Sequence, residues 1–197
     1  MATTPPTLTE PQPTAAYVSF SAEINQTTTE GLLAAIAELM MKGVQTIYLM
    51  LSTSGGNVMN GMTIYNVLRA LPVKVITHNV GNVDSIGNVI FLAGSERYAT
   101  KHSTFMFHGV AFNTTGPESV DEKLLRERMG VVKAEHKRIA SIMAERTRKL
   151  KAEEVEKRFA EAMTRDPNEA LADGIIHDIR EVQIPAGAPF YQLAFKR

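Results

Sequence analysis

A serine at a sharp strand-to-helix break constrains this chain more than any other feature. Gly81-Asn82-Val83-Asp84-Ser85-Ile86-Gly87 leads almost at once into the apolar run Val89-Ile90-Phe91-Leu92-Ala93. A glycine-bracketed polar segment followed by an apolar run reads as a strand that bends into a buried helix, with a hydroxyl at the bend. A helix that starts there turns free N–H groups and the positive end of its dipole toward that hydroxyl. The competing reading is a helix N-cap serine packed among small glycines. The segment also departs from the Gly-x-Ser-x-Gly elbow, because Val83 stands at the first glycine.

The surrounding pattern places this bend in an α/β fold. Tyr17-Val18-Ser19-Phe20 reads as a short strand, and Thr28, Thr29 and Glu30 as a helix start. Leu32, Leu33, Ile36, Leu39 and Met40 make one apolar stripe at helical spacing, ended by Gly43. Thr46 to Leu51 is a continuous strand of the kind buried on both faces. A second helix carries Met59, Met62, Ile64, Tyr65, Val67 and Leu68 as far as Pro72, and Val73 to Thr77 is the next strand. Arg97-Tyr98-Ala99 and Thr104 to Phe107 read as two more. Such alternation predicts stacked strand–helix units around a mainly parallel sheet.

The C-terminal part has a different character. From about Glu118 to Lys149 the spacing predicts one long charged helix, with charge around most of its girth. Such a helix projects or packs against another subunit more often than it wraps a core. A shorter helix over 152–162 follows. Asp166-Pro167-Asn168-Glu169 then opens another, with Asp as N-cap and Pro in the first turn. Gly174 closes it, and Ile175 to Ile179 reads as a final strand. Residues 1–14 are rich in Thr and Pro and read as a flexible or extended arm, leaving 15–197 as a single domain.

Charge and composition exclude several classes of function. The 21 basic and 21 acidic residues cancel, so nothing favours nucleic acid or an anionic membrane as principal partner. Cysteine is absent, which removes disulfides, thiolate metal sites and cysteine catalysis. No His/Asp/Glu spacing points to a metal site, and no cofactor is called for. No apolar run approaches the roughly 20 residues that span a bilayer. The N-terminus lacks the positive charge and apolar core of a signal peptide, so the expected location is the cytoplasm.

Chemistry concentrates at three places. Ser85 is a nucleophile only if a base takes its proton and donors stabilise an oxyanion. His108, 23 residues on at the end of Phe105-Met106-Phe107, is the first candidate base, and His78 is the second. A core-edge histidine with a satisfied hydrogen bond is the alternative for His108. His102 reads as part of a solvated turn and His136 as part of a charged helix face; His177 offers little. Ser54-Gly55-Gly56-Asn57 follows a buried strand and turns backbone N–H groups outward, or is simply a tight turn. It lacks the Lys-Ser/Thr ending of a phosphate loop.

Taken in order, these segments resemble the proteolytic subunit family of the Clp protease. Ser54 to Tyr65 is similar to that family's Ser-Pro-Gly-Gly block, with Ser54 in place of the usual proline. Gly81 to Gly94 resembles its nucleophile block, with Ser85 on the catalytic serine. Lys101-His102-Ser103 and Phe105-Met106-Phe107-His108 resemble the turn and strand that carry the catalytic histidine, and Glu169 to Ile176 the closing segment. The likeness covers roughly residues 17–180.

The resemblance implies a crotonase-like spiral of ββα units, in α/β architecture with a long projecting helix. It implies an ATP-dependent serine endopeptidase subunit that cleaves unfolded polypeptides or peptides. Ser85 would attack, His108 would act as base and then acid, and the N–H groups of Gly56 and Ile86 would form the oxyanion hole. It also implies a homo-oligomeric ring, with rings stacked through the long helix.

Three departures accompany it. An ungapped match puts Ala162 where the family has the triad aspartate, and the nearest carboxylate, Asp166, reads as a helix N-cap. Asp84 adds a charge where the family usually has a small residue. The apolar N-terminal segment of the family is replaced by the Pro/Thr arm, which leaves docking of an unfoldase ATPase open. Two other functions stay in view: a ring-forming scaffold or peptide-binding subunit with little proteolysis, and a crotonase-type acyl-CoA enzyme.

Overall fold

A computed structural model describes residues 14–111 and 121–195. The arm expected over 1–14 lies outside them except for Thr14. The elements run β1 (Ala15–Ser21), α1 (Gln26–Met41), β2 (Thr46–Thr53), α2 (Val58–Ala70), β3 (Lys74–Asp84), α3 (Gly87–Phe91), β4 (Glu96–Ala99) and β5 (Thr104–Met106). They continue with α4 (Glu122–Thr147), α5 (Ala152–Glu161), β6 (Thr164–Arg165), α6 (Pro167–Ala172), β7 (Asp178–Ile179) and β8 (Phe190–Leu193).

The sheet runs β6-β5-β3-β2-β1-β8, with β4 and β7 branching from β3. Every named pairing is parallel except β5 with β6. The long strand β3 forks. Ile76–Asn79 pairs with Glu96–Ala99 of β4, and Asn82–Asp84 pairs with Thr104–Met106 of β5. Asn79 holds the fork: its amide nitrogen donates to the Thr104 carbonyl at 2.7 Å, and its amide oxygen accepts from Gly81 N–H at 3.1 Å. A strand that changes partner partway along its length turns the sheet into a spiral, as the resemblance implies.

β2 is buried along most of its length, as its apolar run requires, with Ile47, Leu49 and Leu51 at 0–1% exposure. The core joins these side chains to Phe20, Phe91, Phe105 and Phe107 and to the inner faces of α1 and α2. Phe91 and Phe105 meet edge to face at 5.0 Å, locking α3 against the strand that leads to His108.

The final strand expected over Ile175–Ile179 is shorter, with Ile175 and Ile176 buried ahead of β7. Residues 190–193, in which the sequence showed no element, form β8 along the outer edge of β1. Helix α4 buries only its C-terminal part, through Ile139, Ala140, Met143 and Thr147. Leu125, Met129 and Val131 are left exposed nearer its start.

Arg97 ties these C-terminal elements together. Buried at 3% exposure, it donates to the carbonyls of Gly94, Arg146, Gly174 and Ile175. Those carbonyls cluster at helix C-terminal ends, where a cation is favoured. Burial, with Arg146 and Arg69 nearby, pushes the guanidinium pKa down to about 10.

Candidate active site

Ser85 sits between β3 and α3 in the left-handed region, at φ 56°. A non-glycine residue there costs roughly 1–3 kcal/mol and persists only where its surroundings enforce it. Three hydrogen bonds do so. Ser85 N–H donates to the Met106 carbonyl at 2.9 Å. The Asn88 side-chain nitrogen donates to both the Ser85 carbonyl (3.1 Å) and the Met106 carbonyl (2.9 Å). Asn88 is 1% exposed, and its amide oxygen has no protein partner among the described residues. Little in the sequence singles out Asn88; its only signal is a polar side chain beside an apolar run.

His108 follows from the same register. Val83 pairs with Phe105 and Asp84 with Met106, so Ser85 and His108 leave the same end of adjacent parallel strands. Phe107 N–H donates to the Met163 carbonyl at 2.8 Å, anchoring the residue before the histidine. His108 Nδ1 lies 2.8 Å from the Gly109 carbonyl. A carbonyl only accepts, so Nδ1 carries the hydrogen and Nε2 is the basic nitrogen. Nε2 and Ser85 Oγ each have no hydrogen bond among the described residues, including none to one another.

The Gly-Gly turn lies against the elbow. A Cβ on Gly55 (φ +86°) would fall 2.6 Å from Ser85 Cβ and 2.9 Å from the Asp84 carbonyl. One on Gly56 (φ +142°) would run into the Ile24 carbonyl. Only glycine fits either place. Ile24 N–H donates to Gly55 O and Asn57 N–H to Ile24 O, bracketing Gly56. The N–H groups of Gly56 and Ile86 have no acceptor among the described residues. Gly56 and Val110 line one cleft of about 560 Å³ with Ile24, Asn25, Met59 and Glu135.

Two expectations, for His78 and His136, change. His78, the second candidate base, is 0% exposed and fully engaged: Nδ1 meets Tyr48 Oη at 2.6 Å and Nε2 meets the Arg180 carbonyl at 3.0 Å. It has no free nitrogen to offer a serine. His136 is half-buried rather than solvated, and its Nε2 accepts from Val110 N–H at 2.7 Å. Asp166 is the N-cap of α6: its carboxylate accepts from Glu169 N–H at 2.9 Å, and Glu169 returns the bond at 3.0 Å. Ala162 is exposed, at the left-handed C-cap of α5. Asp84 turns back along its own strand and accepts from the Asn82 amide at 2.6 Å.

Comparison with known proteins gives this geometry a family. The model of the family described as Clp protease matches residues 13–183. The chain belongs to the Clp protease family. Among relatives of this Clp family chain, the ATP-dependent Clp protease proteolytic subunit 1 of Mycobacterium leprae is 27% identical over 121 residues. That match spans 60% of this chain and 60% of the mycobacterial protein's own length. The proteolytic subunit 2 of Chlamydia trachomatis is 29% identical over 169 residues, 82% of this chain and 79% of that protein. Among solved structures, a point mutant of ClpP1 from Listeria monocytogenes superposes with a TM-score of 0.75 at 24% identity, covering 85% of this chain and 92% of that one. The shared architecture is the Clp protease fold.

Proposed function

We propose that this Clp family chain is a serine endopeptidase subunit that cleaves unfolded polypeptides or peptides through a Ser85 acyl-enzyme. The observation that carries the reading is the tie between Ser85 N–H and the Met106 carbonyl, two residues before His108. It holds Ser85 and His108 at one end of two paired strands. The relatives are named proteolytic subunits, which supports the same chemistry.

In this mechanism a peptide carbonyl enters the cleft beside Gly56. His108 Nε2 takes the Ser85 Oγ proton as Oγ attacks the carbonyl carbon. The N–H groups of Gly56 and Ile86 receive the oxyanion, since neither is committed to another acceptor. His108 then gives its proton to the leaving amine. A water, deprotonated by the same nitrogen, releases the acyl group from Ser85.

The chain would act within a homo-oligomeric ring. The apolar side chains of Leu125, Met129 and Val131, exposed on α4, suit a contact between copies or between stacked rings. ATP dependence would come from a separate ATPase, because the Gly-Gly turn here has no Lys-Ser/Thr ending.

A second reading has its own support. No carboxylate bonds to His108 among the described residues, so a ring-forming subunit with little proteolysis fits the same fold. Incubation with a quenched, unfolded protein and with short fluorogenic peptides separates the two. The peptidase turns over either substrate and loses that turnover in Ser85→Ala. An assembled but inert chain is the scaffold.

A further inference from the structure

The Gly109–Val110 peptide group, one residue beyond His108, is hydrogen-bonded at both ends. Its oxygen, on Gly109, accepts from His108 Nδ1 at 2.8 Å. Its N–H, on Val110, donates to His136 Nε2 at 2.7 Å. Oxygen and hydrogen of one trans amide point in opposite directions. The result is a continuous line from His108 Nδ1–H, through one amide plane, to a second imidazole on α4.

The protons in this line are fixed by partner chemistry. A backbone N–H only donates, so His136 Nε2 is unprotonated and its hydrogen sits on Nδ1. Burial lowers the His136 pKa, against a smaller opposing pull from Glu156 on α5, which favours the same neutral form. The ring is held by Phe159 of α5, 5.3 Å away between centroids. It also abuts the loop closely: a Cβ at position 109 would lie 3.1 Å from His136 Nε2.

We propose that His136, acting through the Gly109–Val110 peptide, is the positioning residue that orients His108 where the family's aspartate is missing. The proposal rests on the reading of Ser85 and His108 as nucleophile and base. Accepting the Val110 N–H polarises the amide and makes the Gly109 oxygen a better acceptor. That oxygen keeps the hydrogen of His108 on Nδ1 and leaves Nε2 basic. When Nε2 takes the serine proton, the bond from Nδ1 to the carbonyl becomes charge-assisted and strengthens. No proton crosses the peptide, and His136 stays neutral throughout. Val110 also lines the cleft, so the same contact sets one of its walls.

The test compares His136→Gln, which keeps an acceptor for Val110 N–H, with His136→Leu, which fills space without one. Steady-state hydrolysis of a short fluorogenic peptide is followed alongside ¹⁵N NMR of the His108 ring. His136→Leu is expected to lower kcat roughly 10- to 100-fold, the loss typical when the group that orients a metal-bound histidine is removed, with KM little changed. The His108 spectrum should move from one tautomer to a mixture, and His136→Gln should recover most of both. Wild-type kcat in His136→Leu overturns the proposal while leaving Ser85 and His108 in their roles. So does a Gln variant as impaired as Leu when both unfold at the wild-type temperature. The tautomer can be read on the unaltered protein even if a variant fails to fold, and a hydrogen on His136 Nε2 at neutral pH also overturns it. A wild-type chain in which a serine-directed probe leaves Ser85 unmodified removes the base reading, and this proposal with it, before any His136 variant is made.

Discussion

Gly55 and Ser85 touch so closely that the glycine has no room for a side chain. A Cβ at Gly55 would stand 2.6 Å from Ser85 Cβ and 3.3 Å from Ser85 Oγ. The turn after β2 therefore sets the position of the hydroxyl after β3, although thirty residues of sequence separate them.

Gly55→Ala should cost both stability and activity. The new methyl must displace Ser85, and φ +86° strains any side chain there. A displacement of about 1 Å at a reacting atom costs about 10²-fold in rate, and that is the expected loss in kcat/KM. Peptide hydrolysis with parallel thermal unfolding checks it; a variant as active as the parent would show that the contact does not position Ser85.

Asp166→Ala separates a cap from a triad member. The carboxylate is exposed and engaged with Glu169 N–H. Its loss should cost about 1 kcal/mol of stability and leave kcat unchanged. A large fall in kcat with unaltered unfolding would instead place Asp166 in the mechanism.

Stability should fall as pH drops below neutrality. His78 is buried between Tyr48, Tyr98 and the Arg180 carbonyl, and burial pushes its pKa from 6.5 to about 4, outweighing the hydrogen bond to the Arg180 carbonyl, which favours the charged ring; the Arg180 charge opposes protonation and Glu181 weakly favours it. An unfolded histidine takes its proton near pH 6.5, so between there and about 4 the unfolded state binds more protons. The stabilisation of the neutral ring is complete above that window and lost as pH falls through it, on the order of 2 to 3 kcal/mol. Urea unfolding at several pH values measures this, and His78→Gln should flatten the slope. An unchanged slope in that variant would assign the acid sensitivity elsewhere.

Much of the site was legible because its geometry is written in local chemistry. A serine between Gly81 and Gly87, ahead of Val89–Ala93, marks a bend, and the structure puts Ser85 at φ 56° there. The capping function of Asp166 was legible from Pro167 and Glu169 for the same reason. The length of β3 was not. Val73–Thr77 reads as a strand by its β-branched residues, whereas Asn79, Gly81 and Asn82 carry poor strand propensity. They are held by Asn79 side-chain bonds to Thr104 and Gly81, a tertiary arrangement. β8 depends likewise on the edge of β1. His136 was hidden by its neighbours: a charged helix face looks solvated until a loop from β5 is laid against it.

The measurement that bears most directly on the account is reaction with a fluorophosphonate probe, followed by mapping of the adduct. The expected result is a single adduct on Ser85, abolished by His108→Ala and absent after unfolding. A folded protein that takes no label at Ser85, or labels as fast without His108, would contradict the assignment of nucleophile and base and leave the scaffold reading.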